Sequence, residues 1–287
     1  MPPQAIVSIQ SHVAYGHVGN ASAVFSLQRL GFEVWPVMTV QFSNHTGYGA
    51  WTGDVFGPDH IGRLMAGMDE RGAFTSCAAV LSGYMGDATL GEVILSARDK
   101  VKAHNPQALY LCDPVMGDVG RGIFVRPEIP PFMKARAVPA ADVITPNQFE
   151  LELLTGVAVH SLADAVAGAR KALDLGPSIV LVTSLRHEHS PEDRIEMLAV
   201  TRDGAWVAGT QLLPLTPPPN GAGDAVSALF LGHLLRGDPV PEALAKTTAG
   251  IYAIIETTWQ AGTRELQLIA AQDRFAAPAP VPVEKVG

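Results

Sequence analysis

The sequence predicts an α/β fold, a mostly parallel central sheet with helices on both faces, and three observations lead there. Short runs of β-branched and apolar residues recur along the chain, helical patterns separate them, and polar or glycine-rich stretches follow the runs directly. Strands buried on both faces read as continuous apolar runs, and their alternation with helices predicts a doubly wound open sheet. Such sheets bind ligands beyond the carboxyl ends of their strands. With 287 residues, 47% of them hydrophobic and 17% charged, the chain can fill one large core, and neither an internal repeat nor a strong boundary divides it. Residues 1–287 therefore read as one domain.

In chain order, the strand candidates are residues 5–9 (AIVSI), 34–40 (VWPVMTV), 78–83 (AAVLSG), 108–114 (ALYLCDP), 142–147 (DVITPN) and 178–184 (SIVLVTS). Between them, 21–30, 90–104 and 162–175 carry helical patterns. The pattern changes after residue 184, where IEMLAVT and AWVAG flank RDGA. That predicts an antiparallel hairpin turning at Asp203 and Gly204, extending one side of the sheet. Residues 210–220, TQLLPLTPPPN, are too proline-rich for a helix and too apolar for a plain linker. They read either as a lid over a ligand or as a connection packed on the core. Helices follow over 222–235, 241–258 and 265–271, and the last ten residues, PAPVPVEKVG, read as a poorly ordered tail.

Composition narrows the function classes. A net charge of −8 argues against nucleic acid or an anionic membrane as partner, while leaving room for a small anion held by backbone N–H groups. No basic leader precedes a long apolar core and no apolar run is long enough to span a membrane, so the expected location is cytoplasmic. Cys77 and Cys112 lack metal-site spacing and sit beside apolar stretches, which predicts buried free thiols. The histidines of RHEH (186–189) precede SPEDR and read as a solvated loop.

The most informative stretch is PPPNGAGDAVSALFLG, residues 217–232. Gly221 and Gly223 permit positive φ and close approach of a ligand, so successive N–H groups can form an anion-binding concavity at a helix N-terminus. Asp224 beside such a site would repel a phosphate, but it suits a general base that takes the proton of an attacking alcohol. The alternative is a plain helix cap. Ala225, Ala228 and Gly232 form a small-residue stripe expected to let this helix sit close to the sheet.

Four further polar stretches follow predicted strands. In QSHVAYGHVGN (10–20), Ser11 or a histidine is positioned to face a substrate and Asn20 to cap the next helix. QFSNHTGYGAWTG (41–53) misses the dinucleotide fingerprint by one residue and opens no helix, so it reads as a mobile flap carrying His45 and Thr46, or as a structural loop. In CDPVMGD, the strand-end Asp113 suits Mg²⁺ held through water. In TPNQFELELL, Asn147 and Glu150 have capping-box spacing, which leaves Glu150 free oxygens for metal-bound water. No Walker-type phosphate loop or protein-kinase motif set is present, so Gly221, Ala222, Gly223 and Asp224 are the available phosphate cradle.

Taken in order, IQSHVAYGHVGN, VWPVMTVQFSNHTGYGAWTG, VLSGYMG, CDPVMGD, TPNQFELELLTG, IVLVTSL and NGAGD resemble the pyridoxal kinases of the ribokinase-like superfamily, the bacterial PdxY type most of all. The resemblance runs from Ala5 to AAQDRFA. It implies a ribokinase-like domain, in a homodimer, that phosphorylates the 5′-hydroxyl of pyridoxal with ATP as co-substrate. Mg²⁺ is the implied cofactor, with a monovalent cation as a further candidate. By position, Ser11, Thr46, Gly47 and Tyr84 would touch the pyridine substrate, with His45 nearby. Asp113, Thr145, Glu150, Thr183, Thr210, Gln211, Leu212 and Leu213 would serve ATP, with Asp113 and Glu150 also serving its Mg²⁺. Gly221, Ala222 and Gly223 would form the anion hole and Asp224 the base.

Two features depart from close bacterial relatives: Thr183-Ser184 stands where they commonly carry Lys-His, and the 210–220 segment is shorter and richer in proline. Two other readings compete, a hydroxymethylpyrimidine kinase on the same scaffold and a vitamer carrier with negligible turnover.

Overall fold

Neighbouring residues along each central strand pack on opposite faces of one sheet. The computed structural model describes residues 4–287. In β1 (Ala5–Val13), Ile6 joins one apolar cluster while Val7 and Ile9 join another. The same split separates Val80 from Leu81 in β4 (Cys77–Ser82), and Tyr110 and Cys112 from Leu111 in β5 (Leu109–Cys112). It recurs in β8 (Val143–Ile144) and β9 (Ile179–Leu185), where Val143 and Leu181 oppose Ile144, Val180 and Val182. Period-two side-chain alternation with both faces apolar is what a sheet covered by helices on both sides requires.

The sheet has ten strands in the order β12-β11-β10-β9-β8-β5-β4-β1-β2-β3. Here β2 is Glu33–Phe42, β3 Gly53–Val55, β10 Arg194–Thr201, β11 Gly204–Gln211 and β12 Val283–Lys285. The six central strands from β2 to β9 are parallel, and the outer strands are antiparallel. One face is covered by α1 (Asn20–Arg29), α8 (Ala222–Leu235), α9 (Val240–Ala261) and α10 (Leu268–Ala276). The other carries α2 (Pro58–Glu70), α3 (Thr89–His104), α6 (Gln148–Thr155) and α7 (Leu162–Leu173). The short α4 (Ile129–Phe132) and α5 (Val138–Ala140), joined by a π-turn, pack on that second face. A separate hairpin, β6 (Gly117–Asp118) with β7 (Gly122–Ile123), rises between β5 and α4. Cys77 and Cys112 are buried free thiols, and no described helix is long and apolar enough to cross a membrane.

The structure corrects several expectations. The C-terminal residues do not form a loose tail: Val283, Glu284 and Lys285 pair with Ala208, Val207 and Trp206, and Val286 and Gly287 exchange backbone hydrogen bonds with Ala205. They cover what would otherwise be an open sheet edge, and the last proline, Pro282, falls just before the strand, where its missing N–H costs no ladder bond. The β10–β11 turn is formed by Arg202 and Asp203, because Gly204 already pairs with Thr201. Asn20 does not cap α1. It is the buried first residue of that helix, and its side-chain amide donates to the carbonyls of Gln10 and Val37, tying β1 to β2. Gly232 brings α8 against α1 rather than the sheet, since a Cβ there would lie 2.5 Å from Leu30 Cδ1.

Candidate active site

The carboxyl ends of the parallel strands open into one cavity of about 520 Å³, and the sequence-predicted residues meet there from seven strand ends and two helix starts. Ser11 comes from β1, Tyr84 from just after β4, Asp113 from just after β5, Thr145 from just after β8 and Thr183 from β9. His45 and Thr46 enter from the turn after β2, and Thr210, Gln211, Leu212 and Leu213 from the end of β11. The N-termini of α6 and α8 face the same space with Glu150, Gly221, Ala222, Gly223 and Asp224. Pro218, Pro219 and Asn220 also line it, so the proline-rich segment is part of the cavity wall.

Gly47 is the exception. It does not line the cavity; its N–H donates to His45 Nδ1 at 3.0 Å within a one-turn 3₁₀ helix, Thr46–Tyr48. Its part is to shape the turn that presents His45 and Thr46. The loop carrying them is laced by its own bonds, from Asn44 Nδ2 to the Ala50 carbonyl and between Ser43 and Thr52.

The start of α8 is bare for two different reasons. Gly221 has φ 89° and lies directly against the His17 carbonyl, so any side chain would collide. Gly223 is already helical, against the expectation of positive φ at both glycines, and a Cβ there would meet nothing nearer than Asp113 Oδ2 at 4.0 Å. With no side-chain cap at Gly221, the first-turn N–H groups remain directed at the cavity with the positive end of the helix dipole. Asp224, three residues after Gly221, does not cap the helix. Its Oδ2 accepts from the Gly19 N–H at 2.8 Å, and burial pushes its carboxyl up to about 6 against that bond.

The two other acids are built differently. Glu150 closes a capping box with Asn147, each side chain accepting from the other's N–H at 2.9 Å, and its second oxygen accepts from Met116 N–H at 2.9 Å. Burial still raises it to about 7, overcoming the backbone donors of Asn147, Met116 and Gly117. Asp113 is pushed well above the carboxylate range, first by burial, then by Glu150 and Asp224; the hydroxyls of Ser227 and Thr145, themselves 2.8 Å apart, pull it back. None of the three forms an ion pair among the described residues.

Five carboxylates line the cavity, Asp113, Asp118, Glu150, Glu196 and Asp224, against a single Arg or Lys, Arg121. That imbalance fits a ligand that brings its own cation. The described residues contain no group of three His, Cys, Asp or Glu able to hold a metal by themselves. Two hard oxygen donors, Asp113 and Glu150, with water and phosphate completing the shell, match Mg²⁺ as it is held beside polyphosphates.

Sequence reasoning missed Arg121 and Phe124 of the β6–β7 hairpin, where the guanidinium sits 4.9 Å over the ring. It also missed one face of α9, Thr248, Ile251, Tyr252 and Ile255. Their spacing of three, four and seven marks one helical face, a signal legible in sequence yet indistinguishable from core packing. Ser184 at the cavity has φ 52°, the one positive-φ residue other than glycine among the described residues.

Residues 73–268 match the family model described as phosphomethylpyrimidine kinase. The chain is similar to pyridoxal kinase PdxY of Rubrobacter xylanophilus, 62% identical over 98% of this chain and 97% of that protein. It is also similar to pyridoxal kinase PdxY of Deinococcus radiodurans, 56% identical over 96% and 94%. The solved pyridoxal kinase of Leishmania donovani in complex with ADP and pyridoxamine superposes with a TM-score of 0.92 at 28% identity, covering 99% of this chain and 100% of that one. A ribokinase-like α/β architecture, a strand-end cavity closed by an uncapped Gly-Ala-Gly-Asp helix start, and near-full-length identity of this size lead to one conclusion: the chain belongs to the PdxY pyridoxal kinase family.

Proposed function

We propose that this protein is a single-domain kinase that transfers the γ-phosphoryl group of ATP to the 5′-hydroxyl of pyridoxal, giving pyridoxal 5′-phosphate and ADP. The observation that carries this reading is Asp224 at an uncapped helix N-terminus, freed from capping and held toward the cavity by the Gly19 N–H. As base, Asp224 takes the 5′-hydroxyl proton while the alcohol oxygen bonds to the γ-phosphorus and the bridging oxygen leaves with ADP. The N–H groups of Gly221, Ala222 and Gly223 face the phosphoryl oxygens, where charge gathers in transfer. Asp113 and Glu150 would hold Mg²⁺ through water, and the ion when bound would supply positive charge beside the transferred phosphate. Ser11, His45, Thr46 and Tyr84 form the acceptor end, and Thr145, Thr183, Thr210, Gln211, Leu212 and Leu213 the nucleotide end. A homodimer and a cytoplasmic location belong to the same reading; sedimentation tests the first.

The family model's description, phosphomethylpyrimidine kinase, favours a second reading in which the acceptor is a pyrimidine, for which hydroxymethylpyrimidine is the alcohol to test. The deciding assay follows product formation from ATP and Mg²⁺ with either acceptor, with Asp224→Ala alongside, and with potassium present or replaced by choline. Faster turnover of pyridoxal, lost in the variant, is the expected result. Faster turnover of hydroxymethylpyrimidine would overturn the acceptor assignment, and an active Asp224→Ala would overturn the base.

A further inference from the structure

Behind the acceptor end of the cavity, outside its wall, one carboxylate joins two separate loops. Glu265 lies between α9 and α10, flanked by Leu266 and Leu268, which are fully buried. Its Oε1 accepts from the Tyr48 hydroxyl at 2.6 Å, and its Oε2 accepts from the His17 N–H at 3.1 Å. Tyr48 closes the 3₁₀ turn that presents His45 and Thr46; His17 belongs to the loop between β1 and α1. The neighbouring Arg264 reinforces the first link, donating to the Gly47 carbonyl at 2.7 Å and stacking 3.9 Å above the Tyr48 ring.

The second link leads to the candidate base. The His17 carbonyl abuts Gly221, and two residues on, the Gly19 N–H donates to Asp224. Gly16 makes this path possible: with φ 99° it lets the Glu265 carboxylate approach where any Cβ would collide with it. The Thr263 hydroxyl and the Gln267 side-chain amide both donate to the Glu265 carbonyl and fix the α9–α10 connection itself. The Tyr48 hydroxyl, raised to about 12 chiefly by this hydrogen bond, stays protonated and donates throughout the physiological range.

We propose that Glu265 is a positioning residue that sets the acceptor half of the site, holding the His45–Thr46 turn and the loop that orients Asp224 in one fixed relation. The nucleotide end, built on Thr145, Thr183 and residues 210–213, has no bond to Glu265. The proposal rests on the kinase reading of the cavity, and its test separates the two. Steady-state KM and equilibrium binding are measured for acceptor and ATP independently, in wild type, Glu265→Ala, Glu265→Gln and Tyr48→Phe.

A half-exposed, charge-assisted pair of bonds predicts a rise of roughly 10-fold in acceptor KM and Kd for Glu265→Ala, with a fall in kcat and ATP binding within about 2-fold. Glu265→Gln, which keeps one accepting oxygen, falls between, and Tyr48→Phe gives roughly 3-fold. Equal weakening of ATP and acceptor would make Glu265 a general structural support and overturn the proposal. So would unchanged acceptor binding in Glu265→Ala, or in Tyr48→Phe should the alanine variant fail to fold. Failure of the kinase reading appears separately, as a wild type that turns over neither acceptor, and the binding measurements still decide the role of Glu265.

Discussion

The N-termini of α6 and α8 face the same cavity, and each carries an acid three residues after its N-cap: Glu150 after Asn147, Asp224 after Gly221. At α6 the two side chains satisfy each other's backbone N–H groups in a closed box. At α8 the cap residue has no side chain, and the acid bonds instead to Gly19, 205 positions away in sequence. A third case, α7, has the same spacing outside the cavity, with Ser161 and Asp164 forming a closed box. Asp164 is lowered, mainly by the Ser161 hydrogen bond, whereas Asp224 is raised to about 6 by burial. Helix position alone therefore does not assign an acid its task. Burial and the cap residue together do: a hydroxyl or amide cap takes up first-turn N–H groups, whereas glycine leaves them open to a ligand.

The sharpest way to break this contrast is to remove the acid that is not a cap. Asp224→Ala should lower kcat by roughly 10²- to 10⁴-fold with little change in ATP binding, measured by steady-state kinetics and nucleotide titration. An unchanged kcat would leave Asp224 with no chemical role. The next test converts α8 toward the α7 arrangement. Gly221→Ser supplies a capping hydroxyl at a backbone position with φ 89° pressed against the His17 carbonyl. Strain and collision should cost about 1–3 kcal/mol of stability and displace the His17–Gly19 loop, lowering kcat by at least about 10-fold. Gly223→Ala, which has space in the free protein, should melt like wild type and lose phosphate binding instead.

These sites differ in how far the sequence alone discloses them. The central strands were legible because burial on both faces leaves uninterrupted apolar runs, and Asp224 was legible because its glycines are adjacent in sequence. The Asn147–Glu150 box was legible for the same local reason. Glu265 was not, since its bond to His17 spans 248 positions and nothing nearby distinguishes it from a surface acid. Asn20 was misread as a cap because Asn before a helix usually is one; here a buried amide between two strands has more to satisfy than a helix end. The C-terminal strand was misread because prolines dominate its approach, although Val281 and Val283 pack against the core.

The pH dependence sharpens the comparison with a smaller effect. A base with its carboxyl near 6 must be ionised to act, so kcat/KM should rise about tenfold per pH unit below that value and level off above it. Stability runs the opposite way. The folded value lies above the unfolded one, so this group's contribution is fully present below about pH 4 and is lost as pH rises through about 6. Asp224→Asn should therefore be inactive yet more stable than wild type at pH 8, by roughly 1–2 kcal/mol in thermal melts without ligands. A melt that moves down in Asp224→Asn would mean that the Gly19 bond outweighs burial of the charge.

The smallest expected effect separates a cap that only stabilises from one that also holds the site. Ser161→Ala and Asn147→Ala each remove an N-cap acceptor, which typically costs about 1 kcal/mol, or about 2–4 °C in melting temperature for a chain of this size. For Ser161 the consequence should end there, because α7 does not reach the cavity. Asn147 does more: its Nδ2 also donates to the Gly117 carbonyl at 2.8 Å, and in the variant the Glu150 N–H loses its side-chain acceptor, although the Glu150 carboxylate keeps its backbone donors from residues 147, 116 and 117. Losing the Gly117 anchor loosens the base of the hairpin that carries Arg121, and losing the cap loosens the helix start that holds a carboxylate assigned to Mg²⁺. Asn147→Ala should thus add a several-fold rise in the Mg²⁺ concentration needed for half-maximal activity to the same loss in melting temperature. Equal Mg²⁺ dependence in the two variants would reduce the α6 box to a stabilising cap and leave α8 as the one helix start whose geometry serves the reaction.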